Sequence, residues 1–384
     1  MSTFCKYFND GVCRSCDQIE DDYALQVHAK TNRCQSELGG FGSSIQWRKP
    51  ELSLLTGFRN RAKLSVTGSL DAPIIGLVGE KVLDQGRELL SCPIHHPRIN
   101  QLVQALKTWI SQYRLTPYRI VERQGELKGV ILFYSPMSKQ MYLRFVLRSQ
   151  ECVVRIRKAL PEMQAAFHDL VCVSANIQPI PHAFLEGPVE ILLTNQSSIL
   201  HQMGVLKFQL TPQAFVQTNV DVATRLYQTA AEWIGEISPQ KATELFCGQG
   251  AFSFFAHSQA KEWLGIEVNA SAVEIANRSA NQMGYSHLRF VAADATNVLH
   301  ELQRFSPDLV LVNPPRRGLS QSGVRMLLDY SPRDILYSSC DIETLRSDVE
   351  NLAQAYEIKR VQWFDLFPHT SHFETLVWLV RRSA

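Results

Sequence analysis

Ala242-Thr243-Glu244-Leu245-Phe246-Cys247-Gly248-Gln249-Gly250-Ala251-Phe252-Ser253 reads as a strand, a glycine turn and the start of a helix. Gly248 and Gly250 let backbone approach a ligand, and they match the first two glycines of the dinucleotide fingerprint, with Ser253 where the third would stand. Trp263-Leu264-Gly265-Ile266-Glu267 is a second apolar run, and its final carboxylate, 19 residues beyond Gly248, can accept hydrogen bonds from both hydroxyls of a ribose. Phe290-Val291-Ala292-Ala293-Asp294 ends a third run, where Asp294 either faces an adenine or closes a turn. Asp308-Leu309-Val310-Leu311-Val312 is continuously apolar, as expected of a parallel strand buried on both faces. From about Phe208 onward strands alternate with helices, so an α/β domain with a mostly parallel sheet is expected.

In such sheets ligands bind beyond the carboxyl ends of the strands, and here those ends carry polar chemistry. The fourth run leads into Asn313-Pro314-Pro315-Arg316-Arg317-Gly318, a rigid charged turn, and Ile335-Leu336-Tyr337-Ser338-Ser339-Cys340-Asp341 delivers one thiol to the same edge. Free cysteine most often serves as a small buried hydrophobe, but a thiol placed at a polar strand end reads as a nucleophile. Gly248, Gly250, Glu267, Asp294 and Asn313 describe a nucleoside site with no clear pyrophosphate cradle, which suits S-adenosylmethionine better than NAD. Methyl transfer also gives the thiol a task. Carbon 5 of a pyrimidine is a poor nucleophile until a thiolate adds to carbon 6, and a base must afterwards remove the proton at carbon 5. Glu374, in His369-Thr370-Ser371-His372-Phe373-Glu374-Thr375 ahead of a last apolar strand, is the candidate base.

The remainder of the chain sets bounds. Its 384 residues, 45% hydrophobic and 20% charged, suffice for two or three globular domains. There is no signal-peptide pattern and no run of about 18 apolar residues, so a soluble cytoplasmic protein is expected. Residues 1–210 hold 24 Lys and Arg against 18 Asp and Glu, whereas residues 211–384 hold 15 against 19. A basic front half suits a phosphate-rich partner, with Arg59 to Lys63 and Arg144 through Lys158 as candidate stretches. Between residues 51 and 205 short β-rich runs surround one helix marked by Ile99, Leu102, Val103, Leu106, Trp109, Ile110 and Tyr113, an α+β pattern, and a helix is also possible after Ile19. Nine cysteines in such a chain favour metal or thiol chemistry over disulfides. Cys5, Cys13 and Cys16 with the remote Cys92 can form a four-thiolate site, and spacing alone leaves zinc, an iron–sulfur cluster or a redox pair open.

The whole chain resembles the bacterial RNA 5-methyluridine methyltransferases. The resemblance rests on Phe215-Val216-Gln217-Thr218-Asn219, Glu244 through Gly250, Asn313-Pro314-Pro315-Arg316, Ser339-Cys340-Asp341 and His372-Phe373-Glu374. It implies a Rossmann-like class I S-adenosylmethionine methyltransferase domain with a mostly parallel seven-stranded sheet at residues 208–384. Ahead of that domain it implies a central α+β RNA-binding domain at 51–207 and an iron–sulfur region formed by 1–50 with the Cys92 segment. It makes Cys340 the nucleophile and Glu374 the base. Gln217, Phe246, Glu267 and Asn313 become cofactor contacts, and Arg316 lies near the target nucleotide. The ribosomal-RNA members share the cysteine pattern, which points to a 4Fe-4S cluster on Cys5, Cys13, Cys16 and Cys92.

Cys5 stands almost at the start, leaving no room for the TRAM barrel of the longer members, so the short form acting on uridine 747 of 23S ribosomal RNA is expected. Ile342 replaces a proline common after the catalytic cysteine, and Ala251 replaces an asparagine that contacts cofactor in the longer form. A monomer suffices for this chemistry. Two other readings remain at this point: an exocyclic-amine N-methyltransferase of RNA, in which an aromatic rather than Arg316 usually follows the prolines, and a non-catalytic iron–sulfur RNA-binding protein.

Overall fold

The computed structural model describes residues 3–78, 85–181 and 186–382. The chain divides into two compact units, one formed by Met1–Glu20 with Leu54–Gln213, the other by Asp21–Ser53 with Ala214–Ala384.

The second unit is built on an eight-stranded sheet. Across it the strands run Gln46–Trp47, Tyr356–Phe364, Glu374–Arg381, Asp334–Ser339, Leu309–Val312, Lys241–Leu245, Glu262–Glu267 and Leu288–Ala292. The last five are mutually parallel, as their unbroken apolar sequences require, and Leu309–Val312 is buried along its whole length. Glu374–Arg381 is antiparallel to both its neighbours. The expected seven strands are joined by a two-residue eighth, because Gln46–Trp47 adds in parallel to the edge strand Tyr356–Phe364.

After the early edge strand Gln46–Trp47, the chain enters this sheet in the middle, at Lys241–Leu245, moves outward to Leu288–Ala292, then returns to Leu309–Val312 on the other side. The order therefore reverses between Leu309–Val312 and Lys241–Leu245, and a crevice opens there at the carboxyl ends of the strands. Helix caps fix where the chain leaves each strand. The Asn269 side chain accepts from Ser271 and Ala272 N–H to start Ala270–Met283, and the Asp341 side chain accepts from Glu343 and Thr344 N–H to start Ile342–Leu352.

The first unit carries a seven-stranded sheet with Leu127–Ser135 and Gln140–Leu147 near its centre. Helices Pro97–Gln112 and Val153–Ala166 pack with Met141, Leu143, Phe145 and Leu147 on one face, and the helical stripe from Ile99 to Ile110 is buried as its spacing predicts. The strand period of two sends Tyr142 and Arg144 to the opposite face. Arg144 is a correction to the expected basic surface: it is 2% exposed and binds Glu190 at 2.6 Å and Glu186, while Ser174 and Asn176 also bond Glu190. A guanidinium off the core face resembles a solvated basic residue in sequence; its partners lie more than forty positions away. Arg148 is likewise paired with Glu126 and Arg155 with Glu151.

Removing one partner of a buried ion pair leaves the other desolvated. We expect Arg144→Met to lower stability by about 3–5 kcal/mol, read as a fall in the urea midpoint of unfolding, with Arg157→Met, which is exposed, as the neutral control.

Candidate active site

Cys340 follows immediately on the parallel strand Asp334–Ser339, and Glu374 opens the antiparallel strand beside it. The reversed direction brings them together: where parallel strands end, an antiparallel one begins, and Ser339 is registered opposite Thr375. Ser338 stands two residues before Cys340, and its hydroxyl donates to Glu374 Oε1 at 2.5 Å. Glu374 is 1% exposed, and its other oxygen, Oε2, is buried with no hydrogen-bond partner. Burial pushes the carboxyl up to about 7, although the Ser338 hydrogen bond pulls the other way. It is a carboxyl held near neutrality with one oxygen unused.

The Cys340 thiol is half-buried. Burial raises its pKa first and the Glu374 charge raises it further, while Arg316, by its charge and a hydrogen bond to the sulfur, opposes both. Arg316 is held in place by its own loop. Thr344 Oγ1 donates to the Arg316 carbonyl at 3.0 Å, Leu319 N–H donates to Asp348 at 2.8 Å, and Tyr337 OH donates to the same carboxylate at 2.6 Å. Gly318 has φ +72° and a Cβ there would meet Asp348 at 2.5 Å, so only glycine suits this turn.

The glycine turn lies at the next strand end across the order reversal. Phe246, Gly248 and Gly250 all have positive φ, at 59°, 54° and 82°. A Cβ on Gly248 would point into open space, whereas one on Gly250 would strike the Phe290 ring at 2.5 Å. Glu267 bridges this turn to its own loop, accepting from Gly248 N–H at 3.0 Å and Asn269 N–H at 2.9 Å. Gln249 Nε2 in the turn and Thr218 Oγ1 in the Gln217-Thr218-Asn219 segment are buried without partners, as expected of atoms that meet a polar ligand. Gln217 and Asn313 are half-buried. Asn219 caps helix Val220–Ile237 through Val222 N–H and donates to Ser53 Oγ at 2.8 Å. Asp294 uses Oδ1 to accept from Thr296 N–H and hydroxyl at 2.9 and 2.8 Å, which depresses its pKa. The turn-closing alternative thus occupies one of its oxygens.

Sequence reasoning did not single out Ser338, although period two puts it on the Cys340 side of its strand. It also passed over Glu244, which is 1% exposed, accepts from the Ser253 N–H at 2.8 Å and from the Ser253 hydroxyl, and is pushed up to about 7 by burial.

Cys5, Cys13, Cys16 and Cys92 are brought near one another. Tyr7 OH accepts from Ser91 N–H at 3.0 Å, drawing the amino-terminal turn onto the Cys92 segment. Burial, then the charges of Cys92, Cys13 and Cys5, push Cys16 up to about 12, and Cys92 rises to about 11. Thiols that repel one another as thiolates are a suitable donor set for a cation. Among the described residues, however, no group of three or more Cys, His, Asp or Glu is gathered tightly enough to hold a metal ion. No helix among the described residues is long and apolar enough to cross a membrane.

The sequence profile of the tRNA (uracil-5-)-methyltransferase family matches residues 196–382. The chain is 41% identical to the 23S rRNA (uracil(747)-C(5))-methyltransferase RlmC of Vibrio cholerae over 378 residues, covering 98% of this chain and 100% of that one. It is 40% identical over 391 residues to the RlmC of Shewanella oneidensis, covering all of both chains. Among solved structures, the Pyrococcus abyssi tRNA (uracil-54, C5)-methyltransferase in complex with S-adenosyl-L-homocysteine superposes with a TM-score of 0.79 at 23% identity, over 95% of this chain and 85% of that one.

The raised Cys340 pKa and its opposition by Arg316 make a chemical prediction. Iodoacetamide labelling of the Cys340 peptide, followed by mass spectrometry, should rise with pH along a curve displaced to the alkaline side of a free thiol. Arg316→Ala should displace that curve further the same way, and an unmoved curve would contradict the contact.

Proposed function

The chain belongs to the uracil-5-methyltransferase family, and from that membership we propose that it methylates carbon 5 of a uridine in 23S ribosomal RNA, uridine 747, through a covalent bond to Cys340. The single observation that carries the mechanism is the pairing of a half-buried thiol with a buried carboxyl whose second oxygen is unpartnered at the same sheet edge. The substrate assignment is supported by full-length relatives at about 40% identity that bear that name.

S-adenosylmethionine supplies an electrophilic methyl group when bound. The open space at Gly248, the Glu267 carboxylate and the orphaned Gln249 and Thr218 atoms fit such a ligand, and Gln217, Phe246, Glu267, Asp294 and Asn313 are the residues assigned to hold it. Arg316 favours the Cys340 thiolate. The thiolate forms a bond to carbon 6 of the uracil, and the electrons of the 5,6 double bond move to the carbonyl oxygen at carbon 4. Carbon 5, now nucleophilic, would take the methyl group as the methyl–sulfonium bond breaks and a neutral thioether leaves, and the carbonyl at carbon 4 would re-form. Glu374 Oε2 then removes the proton from carbon 5, the double bond re-forms, and the sulfur–carbon bond breaks to return the thiolate. A uridine in structured RNA must first be unstacked and turned into the site, at a cost of a few kcal/mol, and the net positive charge of residues 1–210 supports that grip.

The proposal includes a 4Fe-4S cluster on Cys5, Cys13, Cys16 and Cys92, supported by the cysteine pattern and by the hydrogen bond that draws the amino-terminal turn onto the Cys92 segment. It takes no part in the steps above. Iron and sulfide in the anaerobically purified protein support it; stoichiometric zinc would replace it.

RNA containing 5-fluorouridine tests the covalent step, because fluorine cannot leave as a proton. A denaturant-stable adduct at Cys340 is expected, with none for Cys340→Ala; methylation by Cys340→Ala at the wild-type rate would favour an exocyclic-amine enzyme instead.

The pH profile follows from Glu374. A base must be ionised, so below about pH 7 Glu374 adds a loss of about tenfold per pH unit to the loss already caused by protonation of the Cys340 thiolate, and the profile steepens there. Ser338→Ala removes a hydrogen bond that lowers this pKa, so its acid limb should move to higher pH.

A further inference from the structure

Helix Tyr23–Leu38 belongs to the same compact unit as the catalytic strands, and the first half of its inner face is polar, with Cys34 and Leu38 in the core beyond it. Tyr23, Gln26 and Lys30 recur at three- and four-residue spacing, so they line one side of the helix. Gln26 and Lys30 are each 2% exposed. All three reach the same target, the connection between Tyr356–Phe364 and Glu374–Arg381. Tyr23 OH donates to Asp365 Oδ2 at 2.7 Å, Lys30 Nζ donates to Asp365 Oδ1 at 2.7 Å and to the Phe367 carbonyl at 3.2 Å, and Gln26 Oε1 accepts from His369 N–H at 3.0 Å.

This connection, residues 365–373, has no regular secondary structure, yet Asp365, Leu366, His369 and Phe373 are buried. It ends on Glu374. It also begins beside it, because Phe364 is registered opposite Glu374. Fixing Asp365 therefore fixes the backbone on the far side of the carboxylate as well as the loop that leads to it. Tyr23 extends the connection further: its hydroxyl accepts from Ser53 N–H at 3.2 Å, and Ser53 Oγ accepts from Asn219 Nδ2 at 2.8 Å. One hydrogen-bonded path thus joins the Gln217-Thr218-Asn219 segment to the loop of the base.

We propose that Tyr23, Gln26 and Lys30 are positioning residues for proton abstraction, acting as a clamp that sets where Glu374 Oε2 points. The inference rests on the reading of Glu374 as the base. A buried Lys–Asp pair adds little net stability over a well-packed apolar pair, but its hydrogen bonds have direction, and direction is what a base without a second partner needs.

The test separates formation of the adduct from its resolution. Trapping on 5-fluorouridine RNA requires Cys340 addition and methyl transfer but no proton abstraction, whereas turnover on ordinary RNA requires all three. With Tyr23→Phe, assayed below its thermal melt so that the protein is folded, we expect turnover to fall about tenfold or more while the trapping rate stays that of the wild type. Lys30→Gln, which keeps a donor, should lose less than Lys30→Met. If Tyr23→Phe proves unstable, Gln26→Leu, which releases His369 N–H and the Asp21 carbonyl but leaves Asp365 with both its partners, gives the same comparison. Parallel losses in trapping and turnover would reduce the helix to a structural support and overturn the proposal, as would unchanged turnover. Normal turnover by Glu374→Gln would remove the base assignment itself, a result independent of any Tyr23 variant.

Discussion

The antiparallel pairing of Glu374–Arg381 with Asp334–Ser339 is the constraint on which the site depends. A sheet of parallel strands alone would collect only strand ends at its carboxyl edge. One reversed strand adds a strand start, and so sets a carboxyl directly beside a thiol that arrives from the opposite chain direction. The Ser338 hydrogen bond then orients one oxygen of Glu374 and leaves the second available. Sheet pairing supplies the distance, and burial supplies the protonation behaviour.

Several polar groups are held in places that packing alone would fill with hydrophobic side chains. Glu374, Glu244, and the pair formed by Lys30 with Asp365 are all 2% exposed or less. Each costs desolvation, and each satisfies it locally: Glu244 at the glycine turn, Asp365 between Tyr23 and Lys30, Glu374 only in part. The incomplete case coincides with the proposed chemistry. A carboxyl meant only to hold the fold would use both oxygens, as Asp365 does.

Much of the catalytic sheet was legible because its signals are local. Apolar runs such as Leu309–Val312 need no knowledge of the rest of the chain, and positive φ at Gly248 and Gly250 follows from a turn that only glycine makes easily. Cys340 could be read from its position at a strand end. Illegible features depend on partners far away in sequence. Arg144 resembles a surface cation until Glu186 and Glu190 are brought to it, and Ser338 resembles filler until Glu374 arrives 36 residues later. Gln26 and Lys30 escaped for another reason: periodicity searches look for apolar residues, and this helix buries these two polar side chains on the same face as Cys34 and Leu38. For the three amino-terminal cysteines and the remote Cys92 spacing names the donors, but thiolate chemistry alone does not choose between zinc and a cluster.

The most direct test of the account is to ask what happens to the hydrogen on carbon 5 when the carboxylate is gone. Glu374→Gln is incubated with methyl donor and RNA whose target uridine carries tritium at carbon 5. The account predicts one methyl transfer per protein, tritium retained, and a methylated RNA bound to Cys340 that survives denaturation. Release of tritium and of free methylated RNA at the wild-type rate would contradict it.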